Sequence, residues 1–308
     1  MDPELADAYA YCRALHRRYG RTYFLATRLL PADKRPHVHA LYGFTRYADE
    51  IVDDTTRTGP VDRARALRAW AEQFRAGLAG TRVEDPILPA VLHTIDVFAL
   101  DREDFTSFLT SMAMDLEVTR YHTYEELLGY MEGSAAVIGT MMLPILGAAD
   151  RRTAREPARQ LGLAFQLTNF IRDIGEDLER GRIYLPGTDL RRFGVTEADL
   201  RAAAADRQAS APIRALVRFE IERAREHYAA AAPGITMLAR TSQACIRTAF
   251  HLYGGILDEI ERAGYDPFVR RAIVPTRRRL RVAMRSIGTP AGTPAVLTTR
   301  HAPIVVDV

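Results

Sequence analysis

Hydrophobic positions recur along most of this chain at the three- and four-residue spacing of an amphipathic helix. The two-residue alternation of a half-buried strand is nearly absent; an apolar patch at Ile304–Val306 is the one candidate. Helix-start signals recur. Asp85-Pro86 reads as an N-cap followed by proline at the first helical position. Thr123 and Glu126 have capping-box spacing, with Glu126 expected to reach back to the cap, and Thr196 precedes Glu197-Ala-Asp-Leu as a further N-cap. Breaks fall near 55–62, 80–86, 148–157, 181–194 and 233–234, and no linker between them is long enough to separate the chain into two domains. The pattern predicts one all-α domain over residues 1–287. A Thr-, Pro- and Gly-rich flexible tail is expected over 288–308.

Composition narrows the class. Of 308 residues, 47% are hydrophobic, enough to close a large core, and 26% are charged with a formal net charge of +3. So small an excess argues against a nucleic-acid partner. Lys34 is the only lysine, so the positive charge is almost all arginine, whose planar fork suits diphosphate. Cys12 and Cys245 form neither a disulfide framework nor a metal pattern, which suits a reducing compartment. No apolar leader stands out near the N-terminus, and the longest uncharged stretch, Gly133–Ala149, is shorter than the roughly 20 residues of a membrane span. The expected location is cytoplasmic, with peripheral membrane contact left open and no oligomeric state implied.

Two segments carry chemistry. Tyr42, Arg46, Asp49 and Asp53 share an arc of roughly 60° on one predicted helix. Gln166, Asn169, Asp173 and Asp177 share an arc of roughly 80° on another, whose other faces carry Leu167, Phe170 and Ile171. Like charges four residues apart repel, and both pairs sit near helix C-termini, where the dipole disfavours them. A single pair of this kind is most often a solvated face. Two, extended by amides and arginine within apolar helices, favour a hard, oxygen-seeking cation such as Mg²⁺. A di-iron bundle needs Glu-x-x-His, and none of the eight histidines has Glu three positions before it.

Around these residues the chain resembles the squalene/phytoene synthase family, closest to its bacterial phytoene synthases. The stretches that carry the resemblance are 21–31, 40–53, 129–139 and 166–186. The resemblance implies an isoprenoid synthase fold, with helices around a central apolar cavity. Asp49, Asp53, Asn169, Asp173 and Asp177 would hold Mg²⁺, with Mn²⁺ as an alternative. Thr22, Arg46, Gln166, Asn169, Arg172, Tyr184 and Arg270 would bind prenyl diphosphate, Arg271 being the neighbouring register for the last. Tyr42, Tyr130, Tyr184 and Tyr253 match cavity tyrosines, the first, second and fourth of them catalytic alongside Arg46 and the aspartates. Where the family often has His-x-x-Ser, this chain has Tyr19 and Thr22; threonine keeps the hydroxyl.

The implied reaction is head-to-head condensation of two geranylgeranyl diphosphates through a cyclopropyl diphosphate to phytoene, a step of carotenoid biosynthesis. The nearest alternative uses two farnesyl diphosphates to make squalene or dehydrosqualene, and squalene alone would call for a nicotinamide cofactor. A non-catalytic lipid-binding helical protein is the lesser alternative. Read without the resemblance, each tyrosine is as readily a core aromatic. The small residues 133–136 and Gly139 could line a lipid cavity or let helices approach closely. The basic run Arg277, Arg278, Arg279 and Arg281 is more often a solvated surface than a membrane or substrate patch. His16, His37, His39 and His93 carry no ligand spacing.

Overall fold

The structure, a computed structural model, describes residues 2–54 and 59–297. Its helices run α1 Pro3–Tyr19, α2 Arg21–Thr27, α3 Arg35–Asp53, α4 Pro60–Leu78, α5 Leu88–Phe98 and α6 Arg102–Met114. They continue with α7 Tyr124–Met131, a π-helical turn Glu132–Ala136, α8 Val137–Leu146, α9 Arg151–Arg172, α10 Ile174–Glu179, α11 Gly187–Arg192 and α12 Glu197–Asp206. The chain closes with α13 Ala211–Ala231, α14 Gly234–Met237, α15 Arg240–Arg262 and α16 Thr276–Gly288. Among the described residues the one β feature is an isolated bridge between Arg120 and Ile183. The apolar patch at Ile304–Val306 lies outside the described residues. No described helix is long and apolar enough to cross a membrane. Both cysteines are free and buried.

Local chemistry explains where helices start. Thr196 and Asp199 form a full capping box at α12. Thr123 Oγ1 accepts from Glu126 N at 3.2 Å, but Glu126 bonds the amide of His122 rather than that of the cap. Asp85 does not begin α5 directly. Its Oδ1 accepts from the amides of both Ile87 and Leu88, and its other oxygen from Trp70 Nε1, so the helix opens at Leu88. The break expected up to Pro157 is shorter than the sequence suggests: Asp150 caps α9 from Arg151, and Pro157 lies inside it. Gly288 ends α16, yet residues 289–297 are held, with Thr293 O accepting from Arg247 and Gly292 N donating to Gln243. Residues 298–308 of the expected tail lie outside the described residues.

The core falls into two clusters. One gathers Phe44, Trp70, Phe74 and Phe105 among α3, α4 and α6. The other gathers Phe170, Tyr228 and Phe250 among α9, α13 and α15. A cavity opens mostly against the first cluster and reaches Leu161 and Ile235 beside the second, walled chiefly by α3, α8, α9 and α15. The small residues prove to serve both expected purposes. A Cβ on Gly139 would fall 2.1 Å from Ala158 O, and one on Gly162 2.3 Å from Ala135 O, so α8 and the π turn press against the backbone of α9. Ala135, Gly139 and Gly162 also line the cavity.

Away from that cavity, Glu220 of α13 is 2% exposed and bonds Arg223, which also binds Asp189. Burial, reinforced by the Asp189 carboxylate, pushes the Glu220 carboxyl up to about 7 from the ordinary 4.5. A folded-state value raised this way favours the fold most below about pH 4.5. That stability, on the order of 3 kcal/mol, is lost as pH rises through about 7. Glu220→Gln keeps an acceptor for Arg223 without ionising. It is expected to flatten the fall in melting temperature across that range; a slope equal to the parent's would show that Glu220 does not cause it.

Candidate active site

The last three turns of α3 present Tyr42, Arg46, Asp49 and Asp53 along one face. Arg46 Nη1 donates to Asp49 Oδ2 at 2.7 Å, its Nε donates to Glu50, and its guanidinium lies 4.3 Å from the Tyr19 ring centroid. Partial desolvation in the cleft and the neighbouring Asp53 push the Asp49 carboxyl upward. The second motif is not one continuous helix. Asp173 sits at φ −104°, ψ 15° in a bend that ends α9 and opens α10, although Asp177 N still donates to Asp173 O at 2.9 Å. Arg172 grips the Asp173 carboxylate with Nε and Nη2. Asp177 is buried, and desolvation with Asp173 beside it pushes its carboxyl up to about 7.

Two arginines join the motifs. Arg182 Nη1 binds Asp53 Oδ1 at 2.8 Å, and Arg180 Nη1 approaches Asp53 Oδ2 at 3.6 Å. Both follow α10, the helix that carries Asp177, and the positive charge of both also bears on the Asp177 carboxylate. Aspartates about 120 residues apart in sequence thus gather around one pair of cations.

Beside them opens a cavity of about 270 Å³. Tyr42, Thr45, Gln166 and Asn169 line it, a turn or two before the aspartates of their helices. Most of its remaining wall is apolar, including Val38, Leu41, Ile138, Leu161, Phe165 and Ile246.

Comparison places this arrangement. Residues 16–285 match the squalene/phytoene synthase family. The chain belongs to that family. It is 39% identical over 290 residues to a phytoene synthase of Arthrospira platensis, a match spanning 89% of this chain and 91% of that one. It is 38% identical over 287 residues to a 15-cis-phytoene synthase of Synechocystis sp., spanning 89% and 82%. A solved dehydrosqualene synthase in complex with ligand has the same fold, with a TM-score of 0.84 at 27% identity over 92% of this chain and 97% of that one.

Family membership sharpens the question of a metal. Among the described residues no three His, Cys, Asp or Glu side chains close into a finished ion site. What is present fits a hard cation that draws further oxygens from water and diphosphate. Asn169 Oδ1 is buried without a hydrogen-bond partner among the described residues, and the Asp49 and Asp177 carboxyls are each disfavoured as anions by burial and a neighbouring aspartate.

Several residues expected from the family pattern sit elsewhere. Of the four tyrosines, Tyr42 lines the cavity. Tyr130 and Tyr184 do not, because both hydroxyls are taken by Asp115, at 2.7 and 3.0 Å, in a stack with Tyr121 and Phe170. Tyr253 lies behind Tyr23, their rings stacked at 4.4 Å, and Tyr23 and Phe165 face the cavity in its place. Arg270 is exposed; Arg271 is the one that reaches Asp173, at 2.9 Å, and Glu176, at 3.2 Å. Thr22 lies half-buried on α2 beside Tyr23, outside the cavity lining.

Sequence reasoning missed Asp115, Arg180, Arg182 and Tyr23. The two arginines lie inside a stretch already conspicuous for the family, and Asp115 is a single acid at the C-terminal end of α6, with no second carboxylate four positions before it to mark a face. It missed His16 too. That ring is 1% exposed, lines the cavity and stacks on Tyr42 at 4.2 Å.

Proposed function

We propose that the chain condenses two geranylgeranyl diphosphates head to head and releases both diphosphates to give phytoene. The observation that carries this reading is a cavity, apolar over most of its wall, flanked at its polar end by two acidic motifs that share Arg180 and Arg182. The family match, with relatives named phytoene synthase over 89% of the chain, supports it.

Magnesium or manganese held by Asp49, Asp53, Asn169, Asp173 and Asp177 would supply positive charge to the leaving diphosphate. Arg46, Arg172 and Arg271 stand at the same aspartates and would donate charge-assisted hydrogen bonds to its oxygens. Ionisation leaves an allylic cation, which the alkene of the second substrate captures as a cyclopropyl diphosphate. A second ionisation, rearrangement and proton loss complete the product. Tyr42, with Tyr23, offers ring faces to these cations, each worth about 0.5–2 kcal/mol. The apolar wall keeps water from quenching them.

The dehydrosqualene synthase likeness favours farnesyl diphosphate as a second reading. Purified chain is to be supplied with each substrate, with and without Mg²⁺, and diphosphate and product mass measured. The expected result is a C40 hydrocarbon made only with metal and without NADPH. A preference for farnesyl diphosphate would move the chain to the second reading. Absence of diphosphate release from either would leave a non-catalytic lipid binder.

A further inference from the structure

Helix α16 turns an unusual face outward. Ile287, Leu280 and Met284 are 62%, 57% and 57% exposed and span an arc of about 60°. Arg277, Arg281 and Arg285, all exposed, fill the adjoining arc of about 80°. The helix holds no acidic residue. Its inward arginines are engaged: Arg278 with Asp258 and Glu259, Arg279 with Val274 O. The outward three make no ion pair among the described residues. Val269 and Ile273, exposed on the segment leading into α16, extend the apolar stripe. Between them lies Arg271, which binds Asp173.

We propose that α16 and the segment before it dock on an anionic lipid bilayer, the apolar stripe in the acyl boundary and the arginine stripe on headgroup phosphates. Charge complementarity selects this occupant, since an apolar stripe bordered by unpaired arginines fits a surface that is greasy within and negative at its rim. The placement also suits the product. A C40 hydrocarbon has no stable place in water, and Arg271 ties the docking segment to an aspartate of the active site.

The test is co-sedimentation of the full chain with phosphatidylcholine vesicles, with and without phosphatidylglycerol. Binding is expected only with the anionic lipid. The combined Arg277→Gln, Arg281→Gln and Arg285→Gln variant is expected to weaken it about 100-fold. Leu280→Ser with Met284→Ser and Ile287→Ser is expected to weaken it at least ~10-fold. All six side chains are exposed, so melting temperature should hold. Equal binding to neutral vesicles, or unchanged binding by both variants, would overturn the proposal. So would a concentration-dependent dimer lost in the apolar variant, which assigns the face to a second copy. Binding that emerges only after residues 298–308 are removed would assign it to the chain's own tail. None of these readouts uses turnover, so failure here leaves the proposed reaction standing.

His16 Nδ1 lies 2.9 Å from His39 Nδ1, while its Nε2 is buried with no partner among the described residues, in a ring that lines the cavity. We infer that His16 Nε2 accepts the proton that leaves the final carbocation, an inference that rests on the condensation proposed above. The C–H electron pair becomes the new C=C bond, and the proton can pass along the existing bond to His39. Burial and His39 push the His16 imidazole down to about 3, so the ring is neutral at physiological pH, and a carbocation is acidic enough to protonate even so weak a base.

His16→Ala is expected to raise the ratio of water-captured alcohol to alkene at least ~10-fold, with added imidazole restoring the alkene. His39→Asn, which leaves Nε2 in place, is expected to shift the ratio by a smaller factor. A ratio unchanged in both variants would overturn the inference. Diphosphate release by the unsubstituted chain tests the condensation separately.

Discussion

Asp49→Asn and Asp177→Asn are each expected to lower metal-dependent release of diphosphate by about 10²–10³-fold, while the metal-free chain melts no lower than the parent. The two halves of this expectation share one cause. Each carboxyl is disfavoured as an anion by desolvation and by a second aspartate, and the nearby arginines offset this only in part. Neutralising one member removes that repulsion and leaves the fold no worse off. The same change removes an oxygen charge from the place where a cation and a diphosphate would have to balance. An ordinary structural ion pair behaves the other way, because losing one partner strands a buried charge and lowers stability. Thermal melts without metal and single-turnover release with saturating Mg²⁺ check both halves. Turnover within a few-fold of the parent in both variants would remove the aspartates from the reaction.

Those aspartates were legible because helical spacing is a local property. Four residues along a helix bring two side chains onto one face whatever the rest of the chain does, and apolar neighbours mark the face as facing inward. The same locality made the all-α class and the Thr196 cap readable. What links the two motifs is not local. Arg182 meets Asp53 across 129 positions, and no periodicity reports such a partner. Asp85 shows the limit at short range, since the dipeptide announces a helix start but not that the carboxylate will serve two amides and a tryptophan at once. The register of Arg270 and Arg271 was open for the same reason, because the segment between α15 and α16 is neither helix nor strand and gives no phase to count from.

Asp115→Ala is expected to cost about 2–4 kcal/mol of stability, more than any exposed-site change here. Its carboxylate accepts from the hydroxyls of Tyr130 and Tyr184, and its backbone carbonyl from Arg182 at 3.3 Å. Truncation would leave two buried hydroxyls without an acceptor and a void among stacked rings. Burial pushes the Asp115 carboxyl upward even against the two hydroxyls that stabilise its anion, so the group is held in place for what it orders rather than for its own charge. The same Arg182 binds Asp53, so disorder in the stack would reach the acidic motif of α3. Asp115→Asn should be milder, because its amide oxygen still accepts from one tyrosine and its nitrogen can donate to the other. Denaturant melts of the two variants decide the matter. If Asp115→Ala unfolds at the denaturant concentration of the parent, the hydroxyls have found other partners and the stack does not depend on this carboxylate.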